Sequence, residues 1–190
     1  MNYDKLISTP LSNENISKIF KTLHSKANII ILPNFKGNTI EDIFNNTNHA
    51  IIFVATNSKY SGHWQLLLRS NNYIYFFDSY GHDFTKLLNK VFNYYGEDAY
   101  GESYKLGQIL LNSDYCKEGR LLMNTVAYQT MDKNDDTCGR HCVTCFYSFN
   151  NMQNFDFNKY KTFMDNYKKD HNLQSYDDVV VNISQELLKS

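Results

Sequence analysis

Two strand-like runs, residues 64–69 (WQLLLR) and 73–78 (YIYFFD), are separated only by Ser70-Asn71-Asn72, and this spacing constrains the fold more than any other feature of the chain. Asparagine tolerates the positive φ that tight hairpin turns require, so the runs are expected to pair as an antiparallel β-hairpin. Such pairing brings the start of the first run to the end of the second. His63 and Asp78, far apart in the chain, become neighbours at one end of a sheet.

Other runs extend this sheet. Residues 49–56 (HAIIFVAT) are β-branched and apolar and read as a buried strand, residues 28–32 as a strand stopped by Pro33, and residues 121–128 (LLMNTVAY) as a further strand with Gln129 at its C-terminal end. Between them lie helical patterns. Residues 11–24 set Ile16, Ile19, Phe20 and Leu23 at helical spacing behind Ser12 and Asn13 as caps. Thr39 and Asp42 have the spacing of a capping box for a short helix ending at Asn45-Asn46. Asp83 caps an expected helix through Tyr95, ended by Gly96, whereas residues 97–119 are polar and without a clear period. Residues 156–169 and 175–188 read as two closing amphipathic helices, with the aromatic stripe at 155–167 as a core face. The expected architecture is one α+β domain over residues 1–190.

Charge and thiol count narrow the functional classes. Nineteen Lys+Arg against 20 Asp+Glu give a net charge of −1, which provides no bulk positive potential for a nucleic acid. The N-terminal residues lack a basic stretch followed by an apolar one, and no apolar run is long enough to span a bilayer, so a cytosol-like compartment with reduced thiols is expected. Free cysteines are then available for chemistry.

The polar stretch 132–137 opens into Cys138-Gly139-Arg140-His141-Cys142, which reads as a helix start. A thiol at a helix N-terminus gains thiolate character from the unpaired N–H groups and the helix dipole. It becomes an acyl-transfer catalyst when a histidine pairs with it and a carboxylate orients that histidine. His63 and Asp78 supply that pair. The Cys138 backbone N–H and the Gln129 amide are candidate donors to an oxyanion.

Plainer readings stand beside this one. Cys138, His141, Cys142 and Cys145 are all metal-capable, but on one helix they spread along about 10 Å, whereas tetrahedral zinc needs ligands converging from separate segments. No metal and no cofactor are expected. Cys142 and Cys145 read as small core residues, and Cys116 as an inert thiol in a polar loop. His141 competes with His63 as a base, yet it comes from the nucleophile's own helix and is poorly aimed at the sulfur. His24, His49, His82 and His171 read as structural, and aspartates 132, 135 and 136 as a solvated acidic face.

His63-Trp64 opening a hairpin, Phe77-Asp78-Ser79 closing it, then Gln129, then Cys138-Gly139 on a helix resemble, in that chain order, the adenovirus-protease and SUMO-protease superfamily (clan CE) of cysteine peptidases. The resemblance is clearest over residues 49–150. It implies a cysteine-peptidase fold with a central mixed or antiparallel sheet flanked by helices. By position it also implies Cys138 as nucleophile, His63 as general base and acid, Asp78 as orienter, Gln129 as oxyanion donor and Trp64 as a substrate-side wall. The separation of Gln129 from Cys138 is longer than is usual in the superfamily and implies a longer loop before the nucleophile.

Small stand-alone members of the superfamily are characteristically viral maturation proteases. The richness in Asn, Lys, Ile, Tyr and Phe, residues with A/T-rich codons, is similar to that of large DNA viruses and virophages. The resemblance therefore implies an endopeptidase cleaving after small, Gly-type residues of capsid or other structural proteins, in the host cytoplasm or virus factory and in the virion. Removal of SUMO, ubiquitin or a related modifier is an alternative, for which the chain offers no obvious insertion. Acetyl transfer is a second, and it requires a coenzyme A site for which the sequence shows no basic pocket.

Overall fold

The computed structural model describes residues 2–58, 61–70, 72–82, 102–132 and 134–190. The helix expected from Asp83 to Tyr95, with its Gly96 stop, lies outside the described residues.

Five strands form one mixed sheet in the order β1-β2-β3-β4-β5: β1 Asn28–Ile31, β2 His49–Ser58, β3 Ser61–Ser70, β4 Tyr73–Asp78 and β5 Leu121–Met123. β1 and β2 run parallel, β2, β3 and β4 are successively antiparallel, and β5 is parallel to β4. The expected hairpin is β3–β4, with Ser70 opposite Tyr73. The described helices are α1 Tyr3–Ile7, α2 Asn13–Thr22, α3 Ile40–Phe44, α4 Glu102–Asn112, α5 Asp114–Lys117, α6 Cys138–Asn151, α7 Phe157–Asp170 and α8 Tyr176–Lys189. The chain is thus α+β, as its sequence patterns require.

Local chemistry fixes most of the helix starts. Ser12 and Asn15 form a reciprocal capping box at α2, Thr39 and Asp42 one at α3, and Ser175 and Asp178 one at α8. Each cap is worth about 1 kcal/mol. α3 stops where Asn45 and Asn46 take positive φ, 44° and 62°, a conformation asparagine adopts more easily than most residues.

The two-residue period of the strands divides the core. Trp64, Leu66, Leu68, Tyr75 and Phe77 face α2, α6 and α8, where they meet Ile16, Ile19, Phe20, Val143, Phe146 and Val180. Leu67, Ile74 and Phe76 point the other way, onto Ile43 and Phe44 of α3 and Leu106 and Leu110 of α4. Each fully buried Leu, Ile or Phe contributes roughly 1.5–3 kcal/mol relative to exposure, so covering both faces keeps the sheet from slipping register.

The structure corrects three expectations. Residues 102–117 form α4 and α5 rather than a polar irregular stretch; Leu106, Ile109 and Leu110 give the short apolar face that the surrounding polar residues obscured. Cys116 consequently sits half-buried in α5, not in a loop. β5 ends at Met123, because Asn124 turns its side chain inward to the backbone of Asp78 and the chain leaves the ladder. No helix among the described residues is long and apolar enough to cross a membrane.

Candidate active site

In the β3–β4 ladder Gln65 stands opposite Asp78. His63, two residues before Gln65, leaves the same face of β3 and reaches Asp78 on the diagonal. His63 Nε2 is 3.2 Å from Asp78 Oδ2. Gln65 Nε2 donates to that same oxygen at 2.8 Å, and the Tyr80 backbone N–H donates to Oδ1 at 2.9 Å. Asn124 fixes the backbone behind the carboxylate, accepting from the Asp78 N–H at 2.9 Å and donating to its carbonyl at 2.7 Å. Burial works to raise the Asp78 pKa, but the His63 charge and these donors outweigh it and hold the carboxyl below its usual range.

Close backbone approaches place the imidazole. A Cβ on Gly62 would collide with the Val54 carbonyl oxygen, so only glycine lets β3 press against β2 just before His63. On the other side of the strands, Gly81 takes φ +69° and runs beside Val126, which allows the turn after Asp78 to double back. That turn lays the Tyr80 ring over His63, with centroids 5.0 Å apart and planes inclined by 30°.

Cys138 is the first residue of α6, the expected position. α6 is seated on β3, with the Cys142 thiol donating to the Trp64 carbonyl at 3.4 Å. A Cβ at Gly139 would stand 3.2 Å from Trp64 Cδ1, so the indole packs directly on the helix backbone. Seated this way, Cys138 reaches a side-chain hydrogen bond with His63. Burial alone would lower the His63 pKa, but the charge and hydrogen bond of Asp78, together with Cys138, push it up to about 10. Of the three groups Cys138 is the most exposed, at 9% against 3% for His63 and 0% for Asp78. Burial raises the Cys142 and Cys145 thiols well above their ordinary values, which leaves them inert beside Cys138.

Trp64 is buried in the floor under α6, against Phe53 at a ring separation of 5.0 Å. Gln129 adjoins the site from the segment after β5, where its backbone N–H donates to the Ser79 carbonyl at 3.0 Å. Its Oε1 accepts from the Ser79 hydroxyl at 2.7 Å, while Nε2 donates to both the carbonyl and Oδ1 of Asp135 at 3.1 Å. Both amide hydrogens are thereby engaged by Asp135.

The acidic stretch is not the uniformly solvated face expected of it. Asp135 is buried because it collects donors: besides Gln129, it accepts from the Thr130 hydroxyl at 2.7 Å and the Thr137 N–H at 2.9 Å. Asp132 and Asp136 are exposed. His141 turns to Asp177 in α8, with its Nε2 2.8 Å from Oδ1. Among the described residues no three His, Cys, Asp or Glu side chains converge as a metal site requires.

Sequence reasoning missed Gln65, Tyr80, Asn124, Asp135 and Asp177. Gln65 carried a signal, since the strand period that exposes His63 toward Asp78 exposes the residue two positions on. Asp177 carried none, because only the packing of α8 against α6 brings it near Cys138.

No known protein-family model matches this chain. The chain is similar to the uncharacterized protein V9 of Sputnik virophage, with 29% identity over 153 residues that span 80% of this chain and 84% of that protein.

Proposed function

We propose that the chain is a cysteine endopeptidase of the adenovirus-protease and SUMO-protease type, with Cys138 as nucleophile, His63 as general base and acid, and Asp78 as the carboxylate that orients His63. The contact of His63 with both Asp78 and Cys138 carries this reading. In the acylation step the Cys138 proton resides on His63 and the sulfur attacks the substrate carbonyl carbon. The C–N bond then breaks as His63 returns that proton to the departing amine. Water, deprotonated by His63, releases the acyl group and restores the thiol. Asp78 keeps the imidazole in one tautomer and favours its charged form.

The Thr137 side chain makes no capping bond to the first turn of α6, which leaves the Cys138 N–H available to a developing oxyanion. Gln129 supplies a second donor if its amide turns from Asp135 when substrate binds. The narrow cleft implied by the superfamily favours cleavage after glycine. Similarity to a virophage protein, together with the A/T-biased composition, supports viral capsid or other structural proteins as the substrates.

The test is to incubate the protein separately with co-encoded capsid proteins, with ubiquitin-like modifiers carrying a C-terminal vinyl electrophile, and with acetyl-CoA plus an acceptor protein. Cleavage of the capsid protein, abolished in Cys138→Ala, supports the proposal. Consumption of only the modifier probe or only acetyl-CoA replaces it with deconjugation or acetyl transfer.

A further inference from the structure

We propose that Asp177 is a positioning residue for the nucleophile, acting through Thr137 and His141. This rests on the peptidase reading and extends it to a residue on the last helix. Asp177 lies in the first turn of α8 and is 2% exposed. Its oxygens meet the Thr130 N–H at 3.3 Å, the Thr137 hydroxyl at 2.7 Å and His141 Nε2 at 2.8 Å. Those partners belong to the segment entering the site, the residue immediately before Cys138, and the first turn after it. One carboxylate therefore ties both flanks of the nucleophile to a separate helix.

The use made of Thr137 is the second observation. A threonine at a helix start commonly turns its hydroxyl onto the N–H groups of the first turn. Thr137 instead has helical backbone angles, φ −87° and ψ −2°, and makes no capping bond. Its hydroxyl is drawn to Asp177, with Asp135 on its other side. One hydroxyl proton serves only one of two carboxylates. Both carboxylates lie within reach of that hydroxyl, and burial together with the Asp177 charge works to raise the Asp135 pKa. Diverting the threonine in this way holds Cys138 in register with His63 and keeps the first-turn N–H groups clear of a side chain.

The experiment uses the full chain as wild type, Asp177→Ala, Asp177→Asn, Thr137→Val and the Asp177→Ala/Thr137→Val double variant. Two readouts are taken on folded protein: kcat and KM on the cleaved capsid protein, and the rate of iodoacetamide alkylation at Cys138 mapped by mass spectrometry. We expect Asp177→Ala to lower kcat and alkylation by about ten- to hundredfold with KM changed less than about twofold. Asp177→Asn, which keeps an acceptor for Thr137, recovers most of that loss. Because the two residues act as one device, the double variant is no slower than the worse single variant. Multiplicative losses in the double variant, a change in KM alone, or unchanged alkylation in Asp177→Ala would overturn the inference. Thr137→Val exchanges only the hydroxyl for a methyl group, so if Asp177→Ala does not fold, unchanged alkylation in Thr137→Val overturns the inference by itself. Wild-type Cys138 reacting no faster than Cys116 would instead remove the peptidase reading, and this inference with it.

Discussion

His63 and Asp78 meet on the diagonal of the β3–β4 pair, with Nε2 3.2 Å from Oδ2 and Gln65 donating to the same oxygen at 2.8 Å. Replacing Asp78 by asparagine keeps the shape but presents an amide where the imidazole needs an acceptor. We expect kcat to fall by about 10³–10⁴-fold in Asp78→Asn. Gln65→Ala leaves the carboxylate in place but less restrained, and about a tenfold loss is expected. Steady-state rates on protein shown to be folded by circular dichroism check both, and equal losses in the two variants would contradict the division of roles.

The same pair sets a pH window for stability. Asp78 is depressed by His63 and its donors, so the stability it contributes is present above its ordinary value of 3.8 and is lost as pH falls through the depressed value. His63 is raised from 6.5 to about 10, so its contribution is full below 6.5 and is lost as pH rises through about 10. Thermal unfolding followed across pH should therefore show a plateau through neutrality that declines in strong acid and in alkali. In His63→Gln the alkaline decline attributable to this pair disappears. The alkaline limb of kcat/KM, where the leaving amine loses its proton donor, should likewise fall well above pH 6.5.

Two glycines are expected to be intolerant for different reasons. Gly81→Ala strains a backbone at φ +69° and also meets the Val126 carbonyl carbon at 2.8 Å. A loss of about 2 kcal/mol or more follows, read as a drop in the denaturation midpoint. Gly139→Ala gains up to about 1 kcal/mol of helix propensity but presses on Trp64 at 3.2 Å. The two effects nearly cancel in stability, and kcat drops because α6 must lift from β3. A Gly139→Ala variant as active as wild type would show that the seating of α6 does not matter.

Gln129 offers a clean separation of roles. If it turns to the oxyanion during the reaction, Gln129→Ala lowers kcat by about 10²-fold with KM nearly unchanged. If it only braces Asp135, the variant loses thermal stability while its kcat stays at the wild-type level.

The hairpin, the capping boxes and the start of α6 were legible because each depends on residues close together in the chain: Asn-rich turns, Ser or Thr followed by Asp or Asn, alternation along β3. From the hairpin register alone the meeting of His63 with Asp78 follows. The inward turn of Asn124 was hidden within an apolar run, so β5 looked longer than it is. Asp135 looked like one of several surface acids because its burial arises from donors on Gln129, Thr130 and Thr137 that fold over it. Asp177 depends on helix packing, which leaves no periodic trace in the sequence.

The central claim is that one of four free thiols, Cys138, is the nucleophile. The most direct measurement is cleavage of the co-encoded capsid protein by wild type, Cys138→Ala and Cys142→Ala at equal folded concentration. A nucleophilic Cys138 predicts cleavage after glycine by wild type and Cys142→Ala and none by Cys138→Ala. Cleavage by Cys138→Ala at the wild-type rate would contradict it.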